Sequence, residues 1–537
     1  MKRASFGAVL YVTAAASLFA AVDAARADEE SLDERCAALK ALSSPAFTVE
    51  TAERVPASQI AARADGTTVE VPEHCLFRAV IDARPSGIED LSYGIGFELR
   101  LPAEWNGRFL FQGGGGLNGV LNPAVGAIAG FPSALTRGFA VVSSDGGHRG
   151  RGITDARFGV DQQARLDFAY QAVERTTRKA KSLIERYYGR KPEYSYFMGC
   201  STGGREAMLA AQRLPLEFDG VVAGNPTFNL TRIVVNQAWN MQVLSRIAPR
   251  DAEGRPDLSR AFTDAQLEAV ATAVVERCDA LDGLRDGIVY DYKACDFHPK
   301  SLICGTPGAP AGDRCLTEAQ AEALADVFGG ARNSRGESLY GTYPYDTGIA
   351  TPAWRSMHLG SNGRPPADAI LGRDTLRYYV LTPPDPEFDQ LAFDFDRDLD
   401  RTTATAAIND AVGTFHTTFA ARGGKMIVYH GLSDQGMSTS ALTDWYERLT
   451  PRNDSGPHAW ARLFLIPGMT HCGGGKATDE FDMLSAIQTW VEDGRAPDRI
   501  VASGKAFPGQ TRPLCPYPQV ARFEGGDPAD ERSFVCR

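Results

Sequence analysis

The chain has 537 residues, of which 43% are hydrophobic and 23% charged, and its formal net charge is −11. That length exceeds what one compact core usually holds, so a core carrying a large insertion is the economical reading, and the ordinary composition excludes global disorder. An acidic balance also argues against nucleic acid as a partner, because phosphate recognition rests on positive charge.

The first 27 residues have the pattern of a secretory leader: Lys2 and Arg3, an apolar run from Phe6 to Val22, and the small-residue site Ala25, Arg26, Ala27. The run is alanine-rich and interrupted by Thr13 and Ser17, which makes it short for a membrane span. Lys2, Arg3 and Arg26 outweigh Asp23 by two, so cleavage after Ala27 leaves a charge of −13. A secreted or periplasmic protein without a membrane span is expected. The ten cysteines, an even number, suit an oxidising compartment. Short separations favour bridges between Cys278 and Cys295, Cys304 and Cys315, and Cys515 and Cys536; Cys36 with Cys75 would pin the N-terminal region. Cys200 and Cys472 remain.

From residue 28 to about 100, segments such as Ala79–Ala83 and Gly94–Leu101 read as strands of a sheet that begins antiparallel. Arg108–Gln112 is a further strand, followed at once by Gly113, Gly114, Gly115 and Gly116; Phe139–Ser144 is another, closed by Asp145 to His148. Leu166, Ala169, Val173, Ala180, Leu183, Ile184 and Tyr187 recur at helical spacing and predict a helix over 161–188, which Gly189 and Pro192 end. Strand, helix, strand alternation to Gly224 argues for a largely parallel sheet with helices on both faces. From Asn225 to Ala404 the chain is rich in Pro, Gly and Asp and loses that alternation. Strands then return at Lys425–His430 and Arg462–Ile466, with helices expected over 440–449 and 479–491. The organisation expected is a core at 28–224 and 405–537, interrupted by an inserted domain at 225–404.

Gly199, Cys200, Ser201, Thr202 and Gly203 form the G-x-S-x-G pattern between a predicted strand and a predicted helix, the context of a nucleophile elbow. A serine hydroxyl needs a base, and the base needs an orienting acid. In elbow folds the order is Ser, then acid, then His, on loops after later strands. His471 lies just past the strand at 462–466, and Asp434 follows the strand at 425–430, so both suit their roles. Asp444 and Asp479, which fall in predicted helices, are weaker rivals for the acid. His148 precedes the serine, the wrong order, and is left to line the site or hold a loop. The oxyanion requires preorganised N–H donors; Thr202 supplies one, and Gly115 and Gly116 are the choice for the other. Cys200 precedes the nucleophile and Cys472 follows the base. A disulfide holds Cα atoms within about 7 Å, so bridging this pair would clamp serine and histidine together.

Asp279, Asp282 and Asp286 fall within eight residues, with Leu284 and Ile288 placed to offer carbonyls. The run suits Ca²⁺ or a solvated acidic turn, and its spacing is not that of an EF-hand.

The elbow Gly199–Arg205, the His471-Cys472 pair and Asp434 resemble the tannase and feruloyl esterase family. Ser144–His148, Ala180-Lys181, Tyr187–Gly189 and Phe218–Gly224 extend the resemblance over most of the mature chain. It implies an α/β-hydrolase core, an inserted lid domain holding a structural calcium on Asp279, Asp282, Asp286 and the carbonyls of Leu284 and Ile288, and hydrolysis of small-molecule aromatic acid esters. The family also includes a mono(2-hydroxyethyl) terephthalate-type monoester hydrolase, whose arginine pairs with the substrate carboxylate. Here Ala367 stands where that arginine is expected, with Arg364 nearby, and Met357 and Leu371 stand where aromatic side chains are expected. An ester of a phenolic, cinnamic or benzoic-type acid is therefore the expected substrate, and the terephthalate monoester is the alternative. A peptidase would use the same three residues, but nothing in the chain marks amide specificity.

Overall fold

A computed structural model describes residues 31–62, 67–361, 363–450 and 458–537; the expected leader at 1–27 lies outside them. As far as Ile466 the strands among the described residues are, in chain order, β1 (Phe47–Val55), β2 (Ser58–Ala61), β3 (Thr68–Val71), β4 (His74–Pro85), β5 (Ser92–Pro102), β6 (Arg108–Gln112), β7 (Ala140–Ser144), β8 (His148–Arg149), β9 (Tyr194–Cys200), β10 (Gly220–Gly224), β11 (Lys425–Gly431) and β12 (Ala461–Ile466). Among the described residues one sheet joins ten of them in the order β1-β4-β5-β7-β6-β9-β10-β11-β12, with β8 on β5, while β2 and β3 form a separate hairpin. The β1, β4, β5 and β7 contacts are antiparallel, and every pair from β7 to β12 is parallel.

The parallel strands are short, apolar runs because both of their faces are covered. Phe109, Phe111, Phe197, Val221, Ala223 and Val428 pack on one side, against Val173, Ala180 and Ile184 of the helix over 162–188 and Met208 of the helix Thr202–Arg213. Leu110, Tyr196, Val222, Ile427 and Phe464 point the other way, onto Leu484, Ile487 and Trp490 of the helix Met483–Asp493. This is the three-layer α/β-hydrolase arrangement. The long helix contains a wide turn over Asp167–Gln171 that its periodicity did not reveal.

No strand of the sheet, among the described residues, lies between Gly224 and Lys425. That insertion is helical and carries its own core, with Leu244, Phe262, Leu267, Val270, Leu324 and Trp354 among its members. The expected end of the insertion at 404 falls inside the helix Thr403–Asn409. The last long helix starts at Met483, not Asp479, because the Asp482 side chain caps it by accepting from Ser485 N–H at 3.0 Å, while Glu480 is already paired with Ser503. β1 and two C-terminal hairpins, Ile500–Ala502 with Arg512–Leu514 and Ala521–Phe523 with Phe534–Cys536, were not legible in the sequence. All five expected cysteine pairs are bridged, with Cα separations of 5.7, 6.0, 5.2, 5.0 and 5.4 Å in chain order. No helix among the described residues is long and apolar enough to cross a membrane.

Candidate active site

The register of the parallel strands aligns their C-terminal ends: Cys200 beside Gly224, Gly224 beside Tyr429, and Gly431 beside Ile466. Whatever follows β9, β10, β11 and β12 therefore emerges along one edge of the sheet. Those followers are Ser201, Asn225, the loop to Asp434 and the loop to His471.

Ser201 sits at φ 62° and ψ −123°, a strained conformation for a residue with a side chain, between β9 and the helix Thr202–Arg213. The flanking glycines make that turn sterically accessible. A Cβ on Gly199 would lie 2.6 Å from Gly203, and one on Gly203 would lie 2.7 Å from Gly114 O. The second contact shows that the glycine loop after β6 lies directly against the elbow. Gly203 N–H donates to Gly114 O at 3.0 Å, Thr202 Oγ1 donates to Gly116 O, and Gly114 N–H donates to the Glu206 carboxylate at 2.9 Å. Glu206 also accepts from Asn118 Nδ2 at 3.0 Å, and its burial holds its carboxyl above the ordinary range. Gly113 N–H is taken by Met198 O at 2.9 Å. Among the described residues, no hydrogen bond uses the N–H of Gly115, Gly116 or Thr202, the three groups expected to meet an oxyanion.

His471 Nδ1 lies 2.8 Å from Asp434 Oδ2. The same oxygen accepts from Asn225 Nδ2 at 2.6 Å, and Asp434 Oδ1 accepts from Gly436 N–H at 2.9 Å and Met437 N–H at 3.1 Å. Asp434 is buried, which alone would raise its pKa. The positive charge and hydrogen bond of His471, with the Asn225 bond, reverse that and hold the carboxyl well below its usual range. For His471, burial acts downward, but the Asp434 charge and hydrogen bond outweigh it and raise the imidazole above its ordinary value. His430, one residue before the end of β11, is buried close by, and burial lowers its pKa.

The bridge from Cys200 to Cys472 joins the residue before Ser201 to the residue after His471. A hydrogen bond from Ser201 Oγ to His471 is not among those formed by the described residues. Beside the bridge a cleft of about 330 Å³ is lined by Gly113, Gly114, Cys200, Tyr429, Cys472 and Phe481. Of the rivals, Asp444 lies in the helix Thr439–Glu447, and Asp479 accepts from Gly474 N–H at 2.7 Å in the loop after His471. His148 is buried and stacked 3.9 Å from Phe158, and burial pushes it down to about 3, so it serves the packing of its loop. Asn225, Glu206 and His430 escaped the sequence reading. The one signal for Asn225 was its position, a polar residue directly after a buried strand that ends at the elbow's edge.

The acidic run at 279–288 follows the helix Asp264–Cys278 and is closed by the bridge from Cys278 to Cys295. Burial lifts Asp282 to about 7, with the charges of Asp286 and Asp279 adding to it, and Asp279 is raised for the same reasons. Asp286 Oδ2 accepts from the buried Arg512 at 2.7 Å. Among the described residues no three His, Cys, Asp or Glu side chains converge closely enough to hold a metal. The donor chemistry nevertheless suits a hard cation, since carboxylates raised by burial and mutual repulsion are relieved by one.

The model of the tannase and feruloyl esterase family matches residues 80–537. The chain is 41% identical to a mono(2-hydroxyethyl) terephthalate hydrolase from Piscinibacter sakaiensis, over 90% of this chain and 88% of that protein. It is 29% identical to a probable feruloyl esterase B from Aspergillus clavatus, over 97% of this chain and 98% of that one. Among solved structures, feruloyl esterase B from Aspergillus oryzae superposes with a TM-score of 0.78 at 27% identity, covering 94% of this chain and all of that one.

Proposed function

The chain belongs to the tannase and feruloyl esterase family and is a carboxylic ester hydrolase; from that premise we propose that it is exported and cleaves esters of phenolic, cinnamic or benzoic-type acids through a serine-bound acyl intermediate. The observation that carries the mechanism is the hydrogen-bonded chain from Asn225 through Asp434 to His471, bridged by sulfur to the elbow of Ser201. Ser201 Oγ attacks the ester carbonyl while His471 takes its proton. The N–H of Thr202, with that of Gly115 or Gly116, meets the oxyanion. His471 then protonates the leaving alcohol, and water releases the acid by the reverse assignment. Asp434 holds His471 in the tautomer that presents Nε2 to the serine and stabilises its charged form.

The insertion at 225–404 is proposed as the lid over the acyl group. The similarity to the terephthalate monoester hydrolase favours that substrate as a second reading. Against it, Ala367 offers no cation for a free carboxylate, and Arg364 is exposed. We further propose that Asp279, Asp282, Asp286 and the carbonyls of Leu284 and Ile288 hold a structural Ca²⁺, which supplies positive charge to this turn and takes no part in the chemistry.

A panel of feruloyl, galloyl and terephthaloyl monoesters tests the substrate class. Turnover on the first two above the third is expected, and the opposite order would favour the second reading. Ser201→Ala should lower kcat on the best ester by on the order of 10⁶-fold and abolish labelling by a fluorophosphonate; retained turnover would move the nucleophile elsewhere.

A further inference from the structure

The loop that carries the acid is tied to the insertion at Ser433, Gln435, Gly436 and Ser438. Tyr343 Oη donates to Gly436 O at 3.0 Å, and Ser438 N–H donates to Tyr340 Oη at 2.9 Å. His358 Nε2 lies 3.0 Å from Gln435 O, and its Nδ1 lies 2.7 Å from Asp368. Gly348 N–H donates to Ser433 Oγ at 3.1 Å. The cavity left between the two measures about 20 Å³, room for no more than one water.

One contact differs in kind, because it reaches both catalytic loops at once. Asp346 is buried at 4% exposure. Its Oδ2 accepts from Ser433 Oγ at 2.8 Å and from Gly468 N–H at 2.8 Å. Ser433 immediately precedes Asp434, and Gly468 lies three residues before His471. Oδ1 is occupied by Thr347 N–H at 2.7 Å, which fixes the carboxylate's orientation. The loops also meet directly through Ser433 N–H and Met469 O at 3.1 Å, so Asp346 closes the second side of a small hydrogen-bonded frame.

We propose that Asp346 is a positioning residue for catalysis: a carboxylate supplied by the insertion that sets the separation of the acid and base loops, and through it the Asp434–His471 hydrogen bond. The insertion then has a second task besides covering substrate. This rests on the assignment of Asp434 and His471 as acid and base. Both loops hang from adjacent parallel strands, whose register fixes where each loop starts but not how the two loop tips face each other. A single oxygen accepting from both tips supplies that missing constraint, and a small misplacement of catalytic groups is costly.

The test compares Asp346→Ala, Asp346→Asn and Ser433→Ala with wild type and with Ser201→Ala, on a chromogenic aryl ester across pH. Asp346→Ala should lower kcat about 100-fold with KM nearly unchanged. It should also move the acid limb of kcat/KM to lower pH, because His471 loses part of the support that Asp434 gives it; His430, Tyr340 and Tyr343, which also face the pair, are unaltered. Asp346→Asn keeps one oxygen able to accept from both loops but loses the acceptor that meets Thr347 N–H, so it should recover part of kcat and move the limb less than Asp346→Ala does. Ser433→Ala removes one arm only and should fall between, which carries the test if Asp346→Ala yields no folded protein. Wild-type kcat and an unmoved limb in the folded variants, with Ser201→Ala inactive, would overturn the proposal. So would a lowered melting temperature with both kinetic readouts unchanged. Full activity in Ser201→Ala would instead defeat the underlying catalytic assignment.

Discussion

Asp434 and His471 each stand where two opposing effects are resolved by geometry. Burial disfavours both charged forms, yet the 2.8 Å contact, with Asn225 and two backbone N–H groups behind it, leaves the carboxyl ionised and the imidazole more basic than usual. In the proposed mechanism His471 must be neutral to accept the Ser201 proton. A raised His471 pKa therefore means that kcat/KM climbs with pH through a limb lying above the 6.5 of an unperturbed imidazole. A pH–rate profile on an aryl ester whose own pKa values are remote checks this; a limb below that value would show that Asp434 does not govern the base. The meeting of Asp434 and His471 beside the elbow of Ser201 was legible in the sequence because order along the chain and position after an apolar strand are themselves chemical constraints. Asn225, Glu206 and Asp346 were not, because each acts through a partner more than 80 residues away, and nothing in local spacing marks such a pairing.

The elements around the proposed oxyanion site are the loop after β6 and the helix Thr202–Arg213, and their closeness depends on missing side chains. Gly203 has room for no Cβ: the added carbon would sit 2.7 Å from Gly114 O and 2.9 Å from Gly113 C. Gly203→Ala must then push the glycine loop away from Ser201 and break its 3.0 Å bond to Gly114 O. Loss of one oxyanion donor costs about 10² to 10³ in kcat, and a fall of that order with near-native melting is expected, measured by steady-state kinetics beside thermal unfolding. Wild-type kcat in this variant would remove the loop from the mechanism. The strands of the parallel sheet were easy to see because continuous burial makes them apolar throughout. The helix expected from Asp479 began later because Asp482 caps it, a local hydrogen bond that periodicity does not report. The C-terminal hairpins span three residues per strand, too few for any alternation to register.

At the scale of the whole molecule, the sheet and the insertion each carry a core and share a further cluster in which Phe158 and Phe168 meet Tyr379, and the acidic turn lies on the insertion's side, tied to the C-terminal region by Asp286 and Arg512. If Ca²⁺ occupies that turn, it stabilises only the folded state, by about 2.7 kcal/mol at a hundredfold excess over Kd. Chelation should lower the melting temperature and added Ca²⁺ should restore it, with Asp282→Asn insensitive to both; a melting curve indifferent to chelator would leave the run as an acidic turn. The five bridges differ in reach: four close spans of 39, 17, 11 and 21 residues, whereas the one between Cys200 and Cys472 closes 272. As the polypeptide is delivered from its N-terminus, Cys200 waits for a mate that arrives only near the end, and Cys278, Cys295, Cys304 and Cys315 all arrive first. An oxidant that joins thiols in order of appearance would give it the wrong mate. Recovery from that error proceeds by thiolate attack and exchange, so good yield of working enzyme calls for a host that reshuffles sulfur pairs as well as forming them.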